Sequence, residues 1–230
     1  MKDDFAGTLR KVAKIGYAGI EGGGTGPMNK DEYLKFMKEI GLLPISSGGG
    51  VDWIEKKGDE MFAGMQSLGT KYMMVSSGCK SAEEYKTLAG RLNNCGKLAN
   101  KYGIIFQYHN HAHEFEKFEG KTGFDILVDG TDPALVKFQV DAGWVNWAGE
   151  NPPAVLRRLK GRIVTIHVKD HTKDPKDFTE VGTGELPLAE VVAAAQEIGV
   201  QWMFVEQDRW KIPSIESAEI SFKNLKKAVG

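Results

Sequence analysis

At 230 residues, with 41% hydrophobic and 27% charged side chains, the chain has the composition of a globular protein with a sizeable core. Its formal net charge of −1 excludes a bulk field that would recruit nucleic acid or an anionic membrane. Cys79 and Cys95 are too few for a disulfide framework or a structural zinc site. No apolar run reaches membrane-spanning length and the chain does not begin with a secretory signal, so we expect a cytoplasmic protein. A periplasmic protein stays open as an alternative if a signal was removed.

Helical patterns alternate with short apolar runs along the whole chain. The predicted helices cover residues 4–14, 30–40, 52–67, 81–102, 152–160, 188–198 and 214–228. The predicted strands cover residues 17–21, 42–47, 71–76, 104–113, 136–141, 163–169 and 202–206. Strands separated by helices call for a parallel sheet, and no linker divides the chain, so we predict one α/β domain over residues 1–230. Seven such strands predict a (β/α)8 TIM barrel that lacks one strand.

The missing strand is the first one, because the helix over 4–14 has no strand before it. The strands at 17–21 and 202–206 should then face each other with unpaired backbone groups. Three arrangements would pair or cover these backbone groups: imperfect closure by seven strands, cover by another chain, or a longer native gene product. The hypothesis we favour is a truncated start combined with homo-oligomerisation across the gap.

The segment from Ile104 to His113 begins as an apolar run and ends in three histidines at every second position. In an extended strand, Gln107, His109, His111 and His113 share one face. Three imidazoles on one face are candidate metal ligands or acid/base groups. A surface histidine cluster that follows a core strand is the alternative interpretation.

The later strands share a pattern with this one. In residues 136–142, 163–170 and 202–208, one face is apolar and the other turns polar only towards the C-terminal end. In a barrel the second face points inward, and the C-terminal rim is where barrel enzymes keep their chemistry. Four strands deliver one acid or imidazole each to that rim: His109, Asp141, His167 and Glu206. Buried groups of this kind need partners, and one divalent cation satisfies all four.

Several segments resemble the sugar phosphate isomerase/epimerase family, which has the xylose isomerase-like barrel. They are 15–21 (IGYAGIE), 108–111 (YHNH), 141–145 (DAGWV), 167–170 (HVKD), 181–185 (VGTGE) and 205–208 (VEQD). The resemblance implies isomerisation or epimerisation of a keto-sugar, or of a sugar phosphate, through an enediolate. It also implies a divalent ion held by His109, Asp141, His167 and Glu206. Mn²⁺ is the expected ion, with Mg²⁺, Co²⁺ or Zn²⁺ as alternatives.

The chain departs from the family pattern at two places. Family members commonly have Glu at the position of His109, and commonly have His where this chain has Ser47-Gly48-Gly49. The first departure makes the chain resemble the branch that contains inosose dehydratase and related keto-sugar lyases. A dehydratase or lyase acting on a keto-sugar, an inosose or a 3-keto-glycoside is therefore the alternative function, and a non-catalytic barrel subunit is a third.

The remaining candidates serve proton transfer and substrate binding. Glu206 or His111 would remove the α-proton, and Lys169 would neutralise an enolate or simply form an ion pair. Three further side chains are predicted to contact a carbohydrate substrate: Glu21, Trp144 and Glu185. The structural alternatives are a solvated turn for Glu21, packing in an aromatic wall for Trp144, and exposure in a loop for Glu185.

Overall fold

The computed structural model describes residues 4–22 and 24–230, and their centre is a parallel sheet of seven strands. In the order in which they pair across the sheet, its strands are β1 (Gly19–Glu21), β2 (Leu43–Gly49), β3 (Tyr72–Val75), β4 (Ile105–His109), β7 (Lys137–Asp141), β8 (Ile163–Val168) and β11 (Trp202–Val205). This order confirms the predicted barrel of seven parallel strands.

Helices follow the strands and surround the sheet. They are α1 (Phe5–Ile15), α2 (Lys30–Ile40), α3 (Val51–Ser67), α4 (Ala82–Asn100), α5 (Gly123–Gly130), α6 (Ala142–Trp147), α7 (Pro152–Arg158), α8 (Leu188–Ile198) and α9 (Ser214–Val229). α2 shows why the bounds were predictable from sequence. Asn29 and Glu32 form a reciprocal capping box at its start, and Gly41 ends it in the left-handed conformation at φ 72°.

Several short elements were not predicted. α5 and α6 are missing from the prediction, as are two antiparallel pairs, β5 (Lys117–Phe118) with β6 (Lys121–Thr122) and β9 (Asp170–His171) with β10 (Phe178–Thr179). The strand pairs have only two residues per strand, and α5 and α6 have eight and six residues, so each of these elements carries little periodicity. The predicted strand at 104–113 is also too long, because β4 ends at His109.

The main core lies between the sheet and its surrounding helices. Phe106, Tyr108, Phe138, Val140 and Ile166 alternate with the inward residues of their strands, and each is at most 1% exposed. Burial of each such side chain contributes roughly 1.5–3 kcal/mol, so this layer fixes the phase of every strand. The side chains that alternate with this layer therefore point towards the barrel axis, and they include those of His109, Asp141 and His167.

The barrel does not close through its backbone. Among the described residues, β1 pairs only with β2 and β11 pairs only with β8. The outer layer nevertheless continues across this gap, because the Tyr17 hydroxyl donates to the Ala218 carbonyl over 2.9 Å and the Tyr17 ring packs on Phe222. None of the helices in the described chain is long and apolar enough to cross a membrane.

Candidate active site

Three candidate ligands lie at the C-terminal ends of adjacent strands. His109 and Asp141 are the last residues of β4 and β7, and His167 is the penultimate residue of β8. The parallel register places Gln139 opposite His109 and His167 opposite Asp141. Because these strands are neighbours and all three side chains point into the barrel, residues that are distant in sequence meet at one rim.

His109, Asp141 and His167 form a compact group that we call the ligand cluster; none of the three is more than 5% exposed. Nε2 of His109 lies 4.0 Å from Asp141 Oδ2, and Nδ1 of His167 lies 3.8 Å from the same oxygen. A divalent ion with bonds of about 2.1 Å can join ligand atoms up to about 4.2 Å apart. Both separations fall within that limit.

The ligand cluster contains buried polar atoms without partners. Nδ1 of His109, Oδ2 of Asp141 and Nδ1 of His167 have no hydrogen-bond partner among the described residues. An unpaired buried donor or acceptor costs about 1–3 kcal/mol of stability, so three together would substantially lower the free energy of unfolding. Two imidazoles and a carboxylate suit Mn²⁺ or Zn²⁺, and a cation bound by His109 Nε2, Asp141 Oδ2 and His167 Nδ1 would satisfy the last two of these atoms. The residues therefore fit a divalent ion.

Glu21 holds His167 in position from the end of β1. Its carboxylate lies 2.5 Å from His167 Nε2 and accepts a 2.8 Å hydrogen bond from Gln139 Nε2. Since a carboxylate only accepts, the proton of His167 sits on Nε2 and its Nδ1 is left facing Asp141. Burial alone would lower the pKa of His167, but the bond to Glu21 and the charge of Asp141 leave that pKa raised. Glu21 is thus engaged with a candidate ligand rather than directed at a substrate.

Burial has a different effect on the other two members of the ligand cluster. It lowers the pKa of His109 well below its usual range, and the nearby His167 adds to that shift. His109 is therefore neutral, which is the form that binds a metal. Burial raises the pKa of Asp141, while the neighbouring Lys169 and His167 oppose the rise. A second cation beside Asp141 would favour its charged form further.

Glu206 follows β11 and is the one predicted ligand that lies outside the ligand cluster. Its carboxylate lies 2.5 Å from Lys169 Nζ, and Asp208 lies 2.6 Å from the same nitrogen. Asp141 Oδ2 completes the surroundings of Lys169 at 3.4 Å. Burial would lower the pKa of Lys169, but these three carboxylates leave it raised, so Lys169 is a buried cation.

His111 and His113 lie beyond the end of β4. With Glu114 they form a second group, the turn cluster, in which one atom of each residue lies within 4.8 Å of the others. Glu114 is fully buried and both of its oxygens are occupied: Oε1 accepts from the Tyr108 hydroxyl at 2.7 Å, and Oε2 accepts from the His111 backbone N–H at 2.8 Å. The turn cluster therefore holds the chain reversal that follows β4.

The three histidines do not share a strand face as predicted. They remain close in space, with ring centroids 5.0 Å apart for His109–His111 and 5.7 Å apart for His111–His113. Burial, followed by the nearby Lys169 charge, lowers the pKa of His111 to about 4. His111 is thus neutral and lies at the edge of the ligand cluster.

Trp144 forms a wall of the same rim. Its ring lies 5.6 Å from His111 and 4.8 Å from Lys169 Nζ, and it packs edge-on against Phe178 at 5.3 Å. A half-buried aromatic ring beside a cation and an imidazole is a surface on which a sugar face can stack. Glu185, in contrast, has an exposed side chain, and its backbone N–H donates to the His171 carbonyl.

Sequence reasoning missed four polar residues that organise the site. Gln139 donates to Glu21, and Asp208 pairs with Lys169. The Asn110 side chain accepts from the Asp141 backbone N–H at 3.0 Å, which joins the ends of β4 and β7. Asp170 is fully buried and accepts from three backbone N–H groups of the following loop, those of Gly182, Gly184 and Leu186. Gln139 and Asp208 carried a signal in the sequence, because each alternates with the apolar face of its strand segment.

The model of the xylose isomerase-like TIM barrel family matches residues 9–228, which is nearly the whole chain. The chain belongs to this family. The match agrees with the seven-stranded parallel sheet and with the location of the ligand cluster at its C-terminal rim. It confirms the family expected from the motifs at the strand ends.

Relatives and structural neighbours within the xylose isomerase-like family carry different activity names. An inosose dehydratase of Bacillus anthracis is 30% identical over 145 residues, which are 55% of this chain and 48% of that protein. The chain thus spans about half the length of this curated relative.

Two solved structures show the same fold. A sugar phosphate isomerase/epimerase from Parabacteroides distasonis superimposes with a TM-score of 0.87 at 22% identity and covers 99% of this chain and 90% of that one. The IOLI protein, with a bound zinc atom, gives a TM-score of 0.79 at 17% identity over 98% of this chain and 92% of that one. At 22% and 17% identity, these two likenesses show the fold.

Proposed function

We propose that this protein is a divalent-metal-dependent enzyme that removes the proton next to the carbonyl of a keto-sugar and returns it, as an isomerase or epimerase. The observation that carries the proposal is the convergence of the buried side chains of His109, Asp141 and His167 at the C-terminal rim of the barrel, where Asp141 Oδ2 and His167 Nδ1 face each other without hydrogen-bond partners. The zinc atom bound in the IOLI protein supports a metal in this fold. Mn²⁺ is the ion we expect from the family resemblance.

His109, Asp141 and His167 would hold the ion. When bound, a divalent cation polarises the substrate carbonyl and lowers the free energy of the enediolate that follows proton removal. Glu206 is the fourth ligand expected from the family pattern, and it lies beside Lys169 instead. We propose that Glu206 in this position is available for proton transfer.

The chain's own residues divide the chemistry between them. Glu206, of which 34% of the side chain is exposed, can accept the α-proton, while His111 is neutral and is the second candidate base. Lys169 remains protonated beside its carboxylates and can neutralise developing negative charge on the substrate. Trp144 offers a stacking surface and, together with Phe178, restricts water on that side of the rim.

Exchange of solvent deuterium into the substrate tests the proposal. Keto-sugars, inososes and 3-keto-glycosides would be incubated with Mn²⁺-loaded protein in D₂O, and exchange next to the carbonyl would be followed by NMR. We expect exchange for at least one class, and a fall of about 10²–10⁴ in its rate for Glu206→Gln. Asp208→Asn is the matched control, because Asp208 also pairs with Lys169 but is not a proposed base. Absence of exchange in every class, or equal losses in the two variants, would contradict the proposal.

Dehydration is the second candidate. The inosose dehydratase name of a curated relative favours it, and so does His109 at a position where family members commonly have Glu. The first step would be the same, but the enediolate would then expel a β-hydroxyl as water. The same NMR experiment separates the outcomes, because elimination produces an unsaturated ketone whereas epimerisation returns a saturated sugar.

A further inference from the structure

The candidate active site divides into a charged half and an uncharged half. Strands β4, β7, β8 and β11, with the residues that follow them, form the charged half, whose ionisable side chains include His109, Asp141, His167, Lys169, Glu206 and Asp208. The ends of β2 and β3 and the residues after them form the uncharged half. There, residues 46–51 and 74–79 contain only Ser, Gly, Val, Met and Cys and no charged side chain.

The strand register turns the uncharged half towards the same interior. Gly48 of β2 pairs with Met74 of β3, and Met74 pairs with Gln107, on the strand face that carries His109. Gly48 is exposed and its backbone is not left-handed. A Cβ at Gly48 would first meet the Cε and Sδ atoms of the flexible Met74 side chain, at 3.2 and 3.5 Å. The uncharged half therefore has room for a longer side chain but carries no cation.

Carboxylates outnumber cations in the charged half. Three carboxylates surround the Lys169 ammonium group, the farthest at 3.4 Å, and Glu21 adds a fourth beside His167. With neutral imidazoles, a divalent ion in the ligand cluster would still leave one negative charge in excess. Because Lys169 already has three anionic partners, a phosphate group of the substrate would have to compete with them for it.

Two other kinds of group that commonly bind phosphate are also paired with acids of the protein. Helix N-termini attract anions, but α2, α3, α4 and α9, which follow β1, β2, β3 and β11, carry acids in their first turns: Asp31, Glu32, Asp52, Glu83, Glu84 and Glu216. Arg209 and Lys211, on the segment after β11, both pair with Asp177, at 3.5 and 3.0 Å. The positive ends of these groups are thus already offset by the chain itself.

We infer that the substrate of this site is an uncharged polyhydroxy ketone, such as a free keto-sugar or an inosose, and that phosphate esters are excluded by charge. The inference rests on the proposed function, because it names the substrate class of the same site. A phosphate group would bring further negative charge to a site where anions are in excess, and it would lose water without gaining a free cation. The hydroxyl groups of a neutral substrate carry no such cost, and its ring can stack on Trp144.

Matched pairs of sugars test the inference by binding as well as by exchange. The pairs are D-fructose with D-fructose 6-phosphate and D-xylulose with D-xylulose 5-phosphate, and an inosose serves as a neutral reference. Calorimetry would use Mn²⁺-loaded protein dialysed free of unbound metal, and exchange in D₂O would be followed by NMR. We expect the neutral member of a pair to bind at least about tenfold tighter than its ester, because like charges oppose the ester. Added NaCl should strengthen ester binding and leave neutral binding unchanged, since salt screens the repulsion.

Variants at Gly48 test whether the missing cation on the uncharged half matters. Gly48→Arg places a guanidinium group beside Met74, and Gly48→Gln is the control of similar length without charge. Relative to Gly48→Gln, the Arg variant should bind the esters about tenfold or more tightly, because a phosphate accepts two hydrogen bonds from Arg. Both variants should keep the Mn²⁺ affinity of the wild type.

The outcomes separate this inference from the proposed function. An ester that binds more tightly than its neutral partner, with binding weakened by salt, would overturn the inference while exchange still supported the proposed function. Binding of a neutral sugar without exchange in any class would contradict the proposed function and leave the charge preference standing. Equal ester affinities of Gly48→Arg and Gly48→Gln would overturn the inference, and failure of every sugar and ester to bind would overturn both.

Discussion

The ligand cluster and the turn cluster contain the same kinds of residue and lie side by side, yet their carboxylates differ in hydrogen bonding. Each has two histidines and one buried carboxylate, and in each the candidate atoms lie within 4.8 Å of one another. In the turn cluster both Glu114 oxygens accept hydrogen bonds. In the ligand cluster, Asp141 Oδ2 accepts no hydrogen bond among the described residues, and the Lys169 ammonium lies 3.4 Å from it.

The difference shows that composition and proximity do not define a metal site. A carboxylate whose two oxygens are already used gains little from a cation and loses hydrogen bonds to it. Asp141 Oδ2 has no hydrogen bond to lose and only the more distant Lys169 charge beside it, so a directly bound cation is more favourable there. Variants of the two clusters should therefore separate metal binding from folding stability.

Asp141→Asn should have the largest effect on metal binding. Asn keeps an oxygen that can accept from the Trp144 backbone N–H, as Asp141 Oδ1 does at 2.9 Å, but it removes the charge of the ligand. We expect Mn²⁺ affinity to fall at least about 100-fold and the stabilisation by added metal to disappear, because a ligand of the native state raises its stability. Metal analysis and thermal unfolding with and without Mn²⁺ would measure both. Unchanged metal content would contradict the assignment of Asp141.

Glu21→Gln should have the next largest effect. The amide oxygen can still accept from His167 Nε2, but the charge that supports this imidazole is lost. Loss of a partner that orients a metal ligand typically lowers metal affinity by about 10–100-fold. Glu185→Gln, on an exposed loop, is the matched control and should leave the affinity unchanged. Equal Mn²⁺ affinities of the two variants in a competition titration would argue against a supporting role for Glu21.

Glu114→Ala should affect stability rather than metal binding. It removes the acceptor of the His111 backbone N–H and one acceptor beside the Tyr108 hydroxyl, so the His111 donor is left unpaired. We expect a loss of about 1–3 kcal/mol in the free energy of unfolding, from urea denaturation, with metal content unchanged. A variant that loses metal but keeps its stability would reverse the roles of the two clusters.

Asn29→Ala gives the smallest expected effect and provides a baseline far from both clusters. It removes the capping box of α2, in which the Asn29 side chain accepts from the Glu32 N–H at 3.0 Å. The expected cost is about 1 kcal/mol in the free energy of unfolding, again from urea denaturation. Metal affinity should equal that of the wild type; any change in it would mean that global stability, rather than ligand chemistry, governs the metal measurements.

Local signals in the sequence were sufficient for the barrel and for part of the site. A capping residue and a glycine stop bounded α2, and strand alternation placed His109, Asp141 and His167 on one rim. The chain reversal after His109 was not predictable, because it depends on Asn110 bonding to the distant Asp141 N–H and on Glu114 bonding to Tyr108. The pairing of Glu206 with Lys169 rather than with the cluster likewise depends on contacts between strands.

A calorimetric titration of Mn²⁺ into the wild type, His109→Ala and His113→Ala tests the central claim most directly. The two histidines are four residues apart, but only His109 belongs to the ligand cluster. We expect one ion per chain and equal affinity for the wild type and His113→Ala, and binding weaker by about 100-fold or more for His109→Ala. Loss of binding in His113→Ala, or full retention in His109→Ala, would contradict it.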